Sequence, residues 1–239
     1  MNHLRIGAII FPRVDQSDFT GPFEVLSRIP DSTFHVIEKN CAPVRDVRGL
    51  ILTPDTAFAE CPPLHVLIIP GGAGQQDLME DETTLSFIRL QARNAQYVFS
   101  VCTGALLCGA AGLLQGVKAT THWSAHHLLP YFGAIPVNAR VVVDGGHTSA
   151  AGVTAGLDGA LKLVSLVRNE RLAQEIQLGI EYSPEPPFNS GSPETAPKEI
   201  AEALRHSYER IGESRLATAK QIAAKLGVEF PRNAKSFAR

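Results

Sequence analysis

Tyr97-Val98-Phe99-Ser100-Val101-Cys102-Thr103-Gly104-Ala105-Leu106-Leu107 decides how this chain is read. A β-branched and aromatic run ends abruptly on a cysteine, and Thr-Gly then leads into a small-residue helical pattern. That order describes a strand-turn-helix elbow with a nucleophile at its bend. A thiol held there faces the free N–H groups of a helix start, whose partial positive charge favours thiolate. The competing reading of Cys102 is a small buried hydrophobe, the usual fate of a free cysteine. The bend, with Gly104 two residues on, favours the reactive one.

The rest of the chain alternates in the same way. Arg5 to Phe11 reads as a buried strand, and Thr20-Gly21-Pro22 opens a short helix with proline in its first turn. Phe34 to Glu38 and Leu50 to Thr53 read as further strands. Leu64 to Pro70 is an unbroken apolar run closing on Gly71-Gly72, the pattern of a central parallel strand. Asp81 to Asn94 is helical, and the helix after Cys102 is expected from Gly104 to about Leu114. Val141 to Asp144 with Gly145-Gly146 signals a hairpin. Ser149-Ala150-Ala151-Gly152 reads as a small-residue loop ahead of a helix reaching Val167. Alternating strands and helices indicate an α/β fold with a mostly parallel sheet. Ligands of such sheets bind at the carboxyl ends of the strands, where the loop around Asp18, Gly71-Gly72 and Cys102-Thr103 all fall.

After Tyr182 the character changes. Residues 183–193 are rich in Pro, Ser and Gly and form an extended connector; Glu194 to about Leu226 reads as one long helix with Ile200, Leu204, Tyr208 and Ile211 on one stripe. The expected organisation is an α/β domain over 1–182 and an arm plus helix over 183–239, packing on the domain or across a dimer.

Composition limits the function classes. The chain has 239 residues, 44% hydrophobic and 19% charged, which suits a folded domain with a substantial core. A formal net charge of −2 argues against a nucleic-acid-coating surface; the basic cluster Arg232, Lys235 and Arg239 reads as a solvated tail. No apolar run reaches the roughly 18 residues of a membrane span, and Met1-Asn2-His3-Leu4-Arg5 runs straight into a strand pattern without a signal-peptide core. A cytoplasmic protein without membrane or nucleic-acid partners is expected. Cys41, Cys61, Cys102 and Cys108 show no C-x-x-C spacing, so neither a zinc knuckle nor a disulfide framework is expected.

Ser17-Asp18-Phe19-Thr20-Gly21-Pro22, Ile69-Pro70-Gly71-Gly72, Ser100-Val101-Cys102-Thr103-Gly104-Ala105 and Ala119-Thr120-Thr121-His122-Trp123 together resemble the class I glutamine amidotransferase-like superfamily. That group includes the Parkinsonism-associated deglycases and PfpI-type proteases. Leu178 to Tyr182 followed by Pro186-Pro187-Phe188-Asn189, Gly191-Ser192-Pro193 and Thr195-Ala196-Pro197 is similar to the arm of its isocyanide hydratase branch. The resemblance implies a flavodoxin-like sandwich, a homodimer, and hydration of an organic isocyanide to an N-substituted formamide without metal or organic cofactor. It places the nucleophile at Cys102, the acid at Asp18 and a supporting threonine at Thr103, with Gly72 bringing backbone amides to the substrate. Thr20, Phe19 and Val153, and more loosely Phe188, are candidate pocket residues by position. The chain departs from the branch at Ala150-Ala151-Gly152, which is bulkier than the glycine-rich run expected there.

Competing roles exist for several of these groups. Asp18 also suits a helix N-cap ahead of Thr20-Gly21-Pro22. His122 and His126 would share a helix face at i, i+4, but no third metal ligand is evident. Trp123 suits the core or a dimer contact, and Asp158 a structural cap or ion pair. Another cysteine-dependent reaction (amide hydrolysis, deglycation or glyoxalase-type chemistry) would use the same Cys102. A sensor domain of an AraC-type regulator is the alternative from another class: Gln221 to Val228 resembles the first half of a helix-turn-helix, but 11 residues follow it, too few for a recognition helix and its support.

Overall fold

The structure, a computed structural model, describes residues 3–228; the basic tail at Arg232, Lys235 and Arg239 lies outside the described residues. The chain begins with β1 (Leu4–Ile9), α1 (Gln16–Leu26) and β2 (Ser32–Glu38), followed by the short strands β3 (Val44–Arg45), β4 (Ile51–Leu52) and β5 (Thr56–Ala57). Next come β6 (Val66–Ile69), α2 (Gln75–Leu78), α3 (Glu82–Ala92), β7 (Tyr97–Val101) and α4 (Gly104–Ala110). Strand β8 (Lys118–Ala119), a 3₁₀ segment (Trp123–Phe132), β9 (Ile135–Pro136), β10 (Val141–Asp144) and β11 (His147–Ala150) precede α5 (Ala155–Val167), α6 (Glu170–Gly179) and α7 (Lys198–Leu226).

Seven of these strands form one sheet in the order β10-β11-β7-β6-β1-β2-β5, parallel except for the β10–β11 hairpin. Strand order reverses beside β1: the chain runs outward to β2 and β5, then returns to place β6 on the other side. The carboxyl ends of β1 and β6 therefore flank the crevice where open α/β sheets hold ligands. All four residues of β6 are buried, and successive side chains feed opposite layers. Leu67 and Ile69 join α3, α4 and the 3₁₀ segment in one core, with Ala219 and Ile222 of α7 closing it. Val66 and Ile68 join α1, α5 and α6 in the other. The result is the helix–sheet–helix sandwich expected from the alternating pattern.

Four local expectations are corrected. Helix α1 starts at Gln16, not at Thr20: Asp15 is its N-cap, accepting from the Ser17 N–H at 3.1 Å, so Pro22 lies inside the helix. Helix α4 stops at Ala110 rather than near Leu114. Gly112 takes φ +81°, and the Gly112 and Leu113 N–H groups donate back to Gly109 and Cys108, a Schellman stop. Ser149 and Ala150, expected in a small-residue loop, instead end β11 (His147–Ala150) against β7, while Ala151 and Gly152 follow outside the strand. The small side chains at the end of β11 let α5 approach so closely that a Cβ at Gly159 would lie 2.7 Å from the Phe99 ring and 3.2 Å from Ala150 Cβ. Helix α7 begins at Lys198 rather than Glu194, because Pro197, with extended backbone, is its N-cap. It then runs unbroken to a left-handed Gly227, so Gln221–Leu226 is its last stretch rather than a separate short helix.

The elbow has no room at Gly104, where a Cβ would lie 2.0 Å from the Ile69 carbonyl oxygen. Gly212, within α7, has nothing within 4 Å of the same position. Gly104→Ala is therefore expected to destabilise the fold by about 3 kcal/mol or more. Gly212→Ala is expected to stabilise it by roughly 0.5–1 kcal/mol through helix propensity. Urea unfolding of both variants checks the pair.

Candidate active site

The site is assembled from three strand ends. Cys102 follows β7 directly and adopts φ +55°, a left-handed conformation that a non-glycine residue holds only when its surroundings enforce it. Two bonds do so: the Cys102 N–H donates to the Ala150 carbonyl at 3.0 Å, and the Thr121 hydroxyl donates to the Cys102 carbonyl at 2.7 Å. Thr103 caps α4, so the thiol stands at the start of that helix as the elbow pattern requires.

The loop after β6 lies against the elbow. A Cβ at Gly71 would meet the Thr103 nitrogen and hydroxyl at 2.6 Å and Asp18 Oδ2 at 3.0 Å, so only glycine fits. The Gly72 N–H donates to Thr103 Oγ1 at 3.2 Å. The loop after β1 completes the group. Asp15 N–H donates to the Gly71 carbonyl at 2.9 Å, and Gly71 N–H donates to Asp18 Oδ2 at 2.9 Å. Asp18 is thus not the cap of α1, a role taken by Asp15; it sits in the first turn with no exposed surface.

Asp18 Oδ1 has no hydrogen-bond partner. A buried carboxylate in that position would be poorly solvated, and burial together with the nearby Asp15 charge raises the Asp18 pKa to about 8. The Gly71 N–H and the neighbouring Cys102 thiol oppose the shift without reversing it. Burial also pushes the Cys102 thiol above its ordinary value, and charge on Asp18 would push it further. The Thr103 N–H and the Arg215 guanidinium pull it back. Carboxyl and thiol titrate as a pair, because ionising one raises the other. At neutral pH the carboxyl keeps its proton.

Asp18, Gly72, Cys102 and Thr103 are therefore brought together. Thr20 is one turn along α1 from Gln16, to whose Oε1 its hydroxyl donates at 2.8 Å. Phe19 is buried in the core and its ring contacts Phe23 and Phe34. Val153 lines a cleft of about 1030 Å³ with Thr121, His122, Trp123, Gly152 and Arg205. Phe188 is 77% exposed on the arm. His122 caps the 3₁₀ segment, binding Ser124 through Nδ1, and its ring contacts Trp123 and Tyr208. In a 3₁₀ segment the side chains at i and i+3 eclipse, so His122 and His126 do not share the face that an α-helix would give them. No group of three or more His, Cys, Asp or Glu among the described residues could hold a metal ion. Asp158 pairs with Arg140 at 2.5 Å and accepts from the Tyr182 hydroxyl at 3.0 Å.

One site residue escaped the sequence reading. Arg215 of α7 is 5% exposed, and its Nη2 donates to the Gly72 carbonyl at 3.2 Å and to Thr103 Oγ1 at 3.5 Å. Its only sequence signal is a charge falling among the buried positions of α7, four residues before Ala219.

The raised Asp18 pKa has a sign that stability measurements read directly. Unfolded, the carboxyl ionises near 3.8; folded, near 8. The stabilisation from keeping the proton is fully present below about pH 4 and is lost as pH rises through about 8. Asp18→Asn removes this loss. Its melting temperature is expected to exceed that of the unaltered protein by roughly 5 °C at pH 8, with the difference shrinking toward pH 4. Scanning calorimetry across that range checks it.

Comparison with known proteins places this geometry in context. The DJ-1/PfpI family pattern matches residues 5–166. The chain is 50% identical over 225 residues to a Pseudomonas putida protein named isonitrile hydratase, covering 94% of this chain and 99% of that one. A crystal structure of a THiJ/PfpI family protein from Pseudomonas syringae matches with a TM-score of 0.89 at 39% identity, covering 92% of this chain and 91% of the other. The HTH-type transcriptional regulator GbdR of Pseudomonas aeruginosa is 29% identical over 130 residues, which is 54% of this chain but 35% of the regulator. With the matched region spanning the sheet, the elbow and the loops that carry Asp18 and Gly71, the chain belongs to the DJ-1/PfpI family.

Proposed function

We propose that this protein is an isocyanide hydratase, adding water to R–N≡C to give R–NH–CHO through a covalent bond to Cys102. The observation that carries the reading is a neutral, fully buried acid, Asp18, held beside the thiol of a strained elbow with one oxygen unpartnered. The 50% identity to the Pseudomonas putida isonitrile hydratase over almost its whole length supports the same substrate class.

The chemistry asks for those groups. The terminal carbon of an isocyanide both carries a lone pair and receives the nucleophile, so sulfur addition requires proton delivery to that same carbon. Gly71 holds Asp18 Oδ2 by its N–H, leaving Oδ1 to give its proton. Sγ bonds to the carbon, the carbon lone pair takes the proton from Asp18, and the thiol proton replaces it. The product is a thioimidate, R–N=CH–S–Cys102. Water then adds to this carbon while nitrogen is protonated. The C–S bond breaks as the carbonyl forms, and sulfur leaves with a proton, restoring thiol and acid. Thr103 and Gly72 hold the loop against the elbow through both halves.

We further propose that the chain pairs with a second copy through α7, where Ile200, Leu204 and Tyr208 stand exposed on the expected stripe. A reducing, cytoplasmic compartment suits the four cysteines, each of which is unbridged. No helix among the described residues is long and apolar enough to cross a membrane.

Incubation with para-nitrophenyl isocyanide, with formamide followed by chromatography, tests the reading. Turnover is expected in the unaltered protein, with a loss of at least about 100-fold in both Cys102→Ala and Asp18→Asn. The rate should fall on the alkaline side as Asp18 loses its proton around pH 8. An unaltered protein that forms no formamide, while Cys102 still alkylates, points to another reaction at the same thiol.

A further inference from the structure

The guanidinium of Arg215 is buried at the base of the loop–elbow junction. Two of its contacts are fixed: the Gly72 carbonyl, and the Thr103 hydroxyl that Gly72 itself donates to. Its Nε has no partner. No carboxylate among the described residues lies within ion-pair distance of it. A buried cation without a counter-ion is costly, and such charges are normally paired.

The surroundings identify the missing negative charge. The titratable groups that act on Arg215 are Cys102 and Tyr208. His122, which Arg215 itself influences, is held neutral, its pKa pushed down to about 4 by burial and then by the guanidinium. Tyr208 lies on the same helix and is 37% exposed. The groups acting on Cys102 are Asp18 and Asp15 from α1, the Thr103 N–H, and Arg215 as the single cation. With Asp18 carrying its proton at neutral pH, the charge that Arg215 can neutralise is the one that forms on Cys102 Sγ.

We propose that Arg215 is a positioning residue of the active site: brought from the C-terminal helix, it holds the Gly72 carbonyl and Thr103 hydroxyl in place and supplies the positive charge against which Cys102 ionises. The same charge stabilises sulfur as the C–S bond breaks in the second half of the reaction. The inference rests on Cys102 being the nucleophile. It does not require that the substrate be an isocyanide, because ionisation of the thiol can be read without one.

The test is the rate of iodoacetamide alkylation at Cys102 as a function of pH, resolved by peptide mass spectrometry to exclude Cys41. The variants are Arg215→Gln, which keeps an N–H donor but no charge, Arg215→Lys, which keeps the charge, and exposed Arg210→Met as the control. For R215Q the alkylation profile is expected to move to higher pH by at least one unit, with alkylation near pH 7 about tenfold slower. R215K should stay close to the unaltered protein, and R210M should match it. A folded R215Q with an unshifted profile overturns the proposal. So does R215K, read independently, if its profile moves as far as a loss of charge would move it. An unaltered Cys102 that resists alkylation at every pH overturns the nucleophile itself, whereas absent formamide with normal alkylation overturns only the isocyanide.

Discussion

Everything at the site depends on how closely the Gly71 backbone approaches the elbow. Gly71 sits between Asp18 Oδ2 and the Thr103 amide at distances that leave no space for a side chain. From that position its N–H fixes one carboxyl oxygen and its carbonyl receives the Asp15 N–H, tying the start of α1 to the end of β6. The strained Cys102 backbone is held from the opposite side by Ala150 and Thr121. Four chain segments thereby constrain one thiol and one carboxyl. A thiol and an acid on flexible loops would lose most of the benefit of being neighbours.

The parts of this arrangement that lie next to each other in sequence were legible there. The β7–elbow–α4 unit announces itself because a buried strand, a cysteine and a glycine follow without interruption, and β6 does so because four apolar residues close on paired glycines. Asp81 was equally readable as the start of α3, where its side chain accepts from the Thr84 N–H. Local rules misled where tertiary packing decided. Proline at 22 looked like a helix start, but Asp15 caps earlier and the apolar face of α1 carries the helix through it. Ser149 and Ala150 looked like part of a loop because they are small, yet that size is what allows a strand to sit beneath α5. Gly112, which ends α4 through its left-handed backbone, was a visible signal that the small-residue run around it obscured. Arg215 was barely legible, since 112 residues separate it from Thr103 and its one local mark is a charge falling on the face that α7 buries.

The alternatives weighed from sequence separate on structural grounds of different kinds. For the regulator reading, Gln221–Leu226, within the segment resembling half of a helix-turn-helix, is the end of one unbroken helix. The match to GbdR spans about a third of that protein. The other cysteine chemistries share the scaffold, and a fold alone does not choose among them. What distinguishes them is proton supply. Amide hydrolysis asks a neighbouring base to take the nucleophile's proton, whereas addition to an isocyanide asks an acid to give one to carbon. A carboxyl buried into neutrality suits the second demand.

Helix α7 also orders events in time. The sheet, the elbow and Asp18 all lie in the part of the chain made first, while Arg215 emerges after the connector that spans 183–197. Domains fold as their residues leave the ribosome, so the nascent sheet can close around Cys102 before its cation exists. During that interval the Thr103 N–H is what favours charge on the buried thiol. Docking of the last helix brings that cation to the thiol and, through Ala219 and Ile222, closes the core behind it.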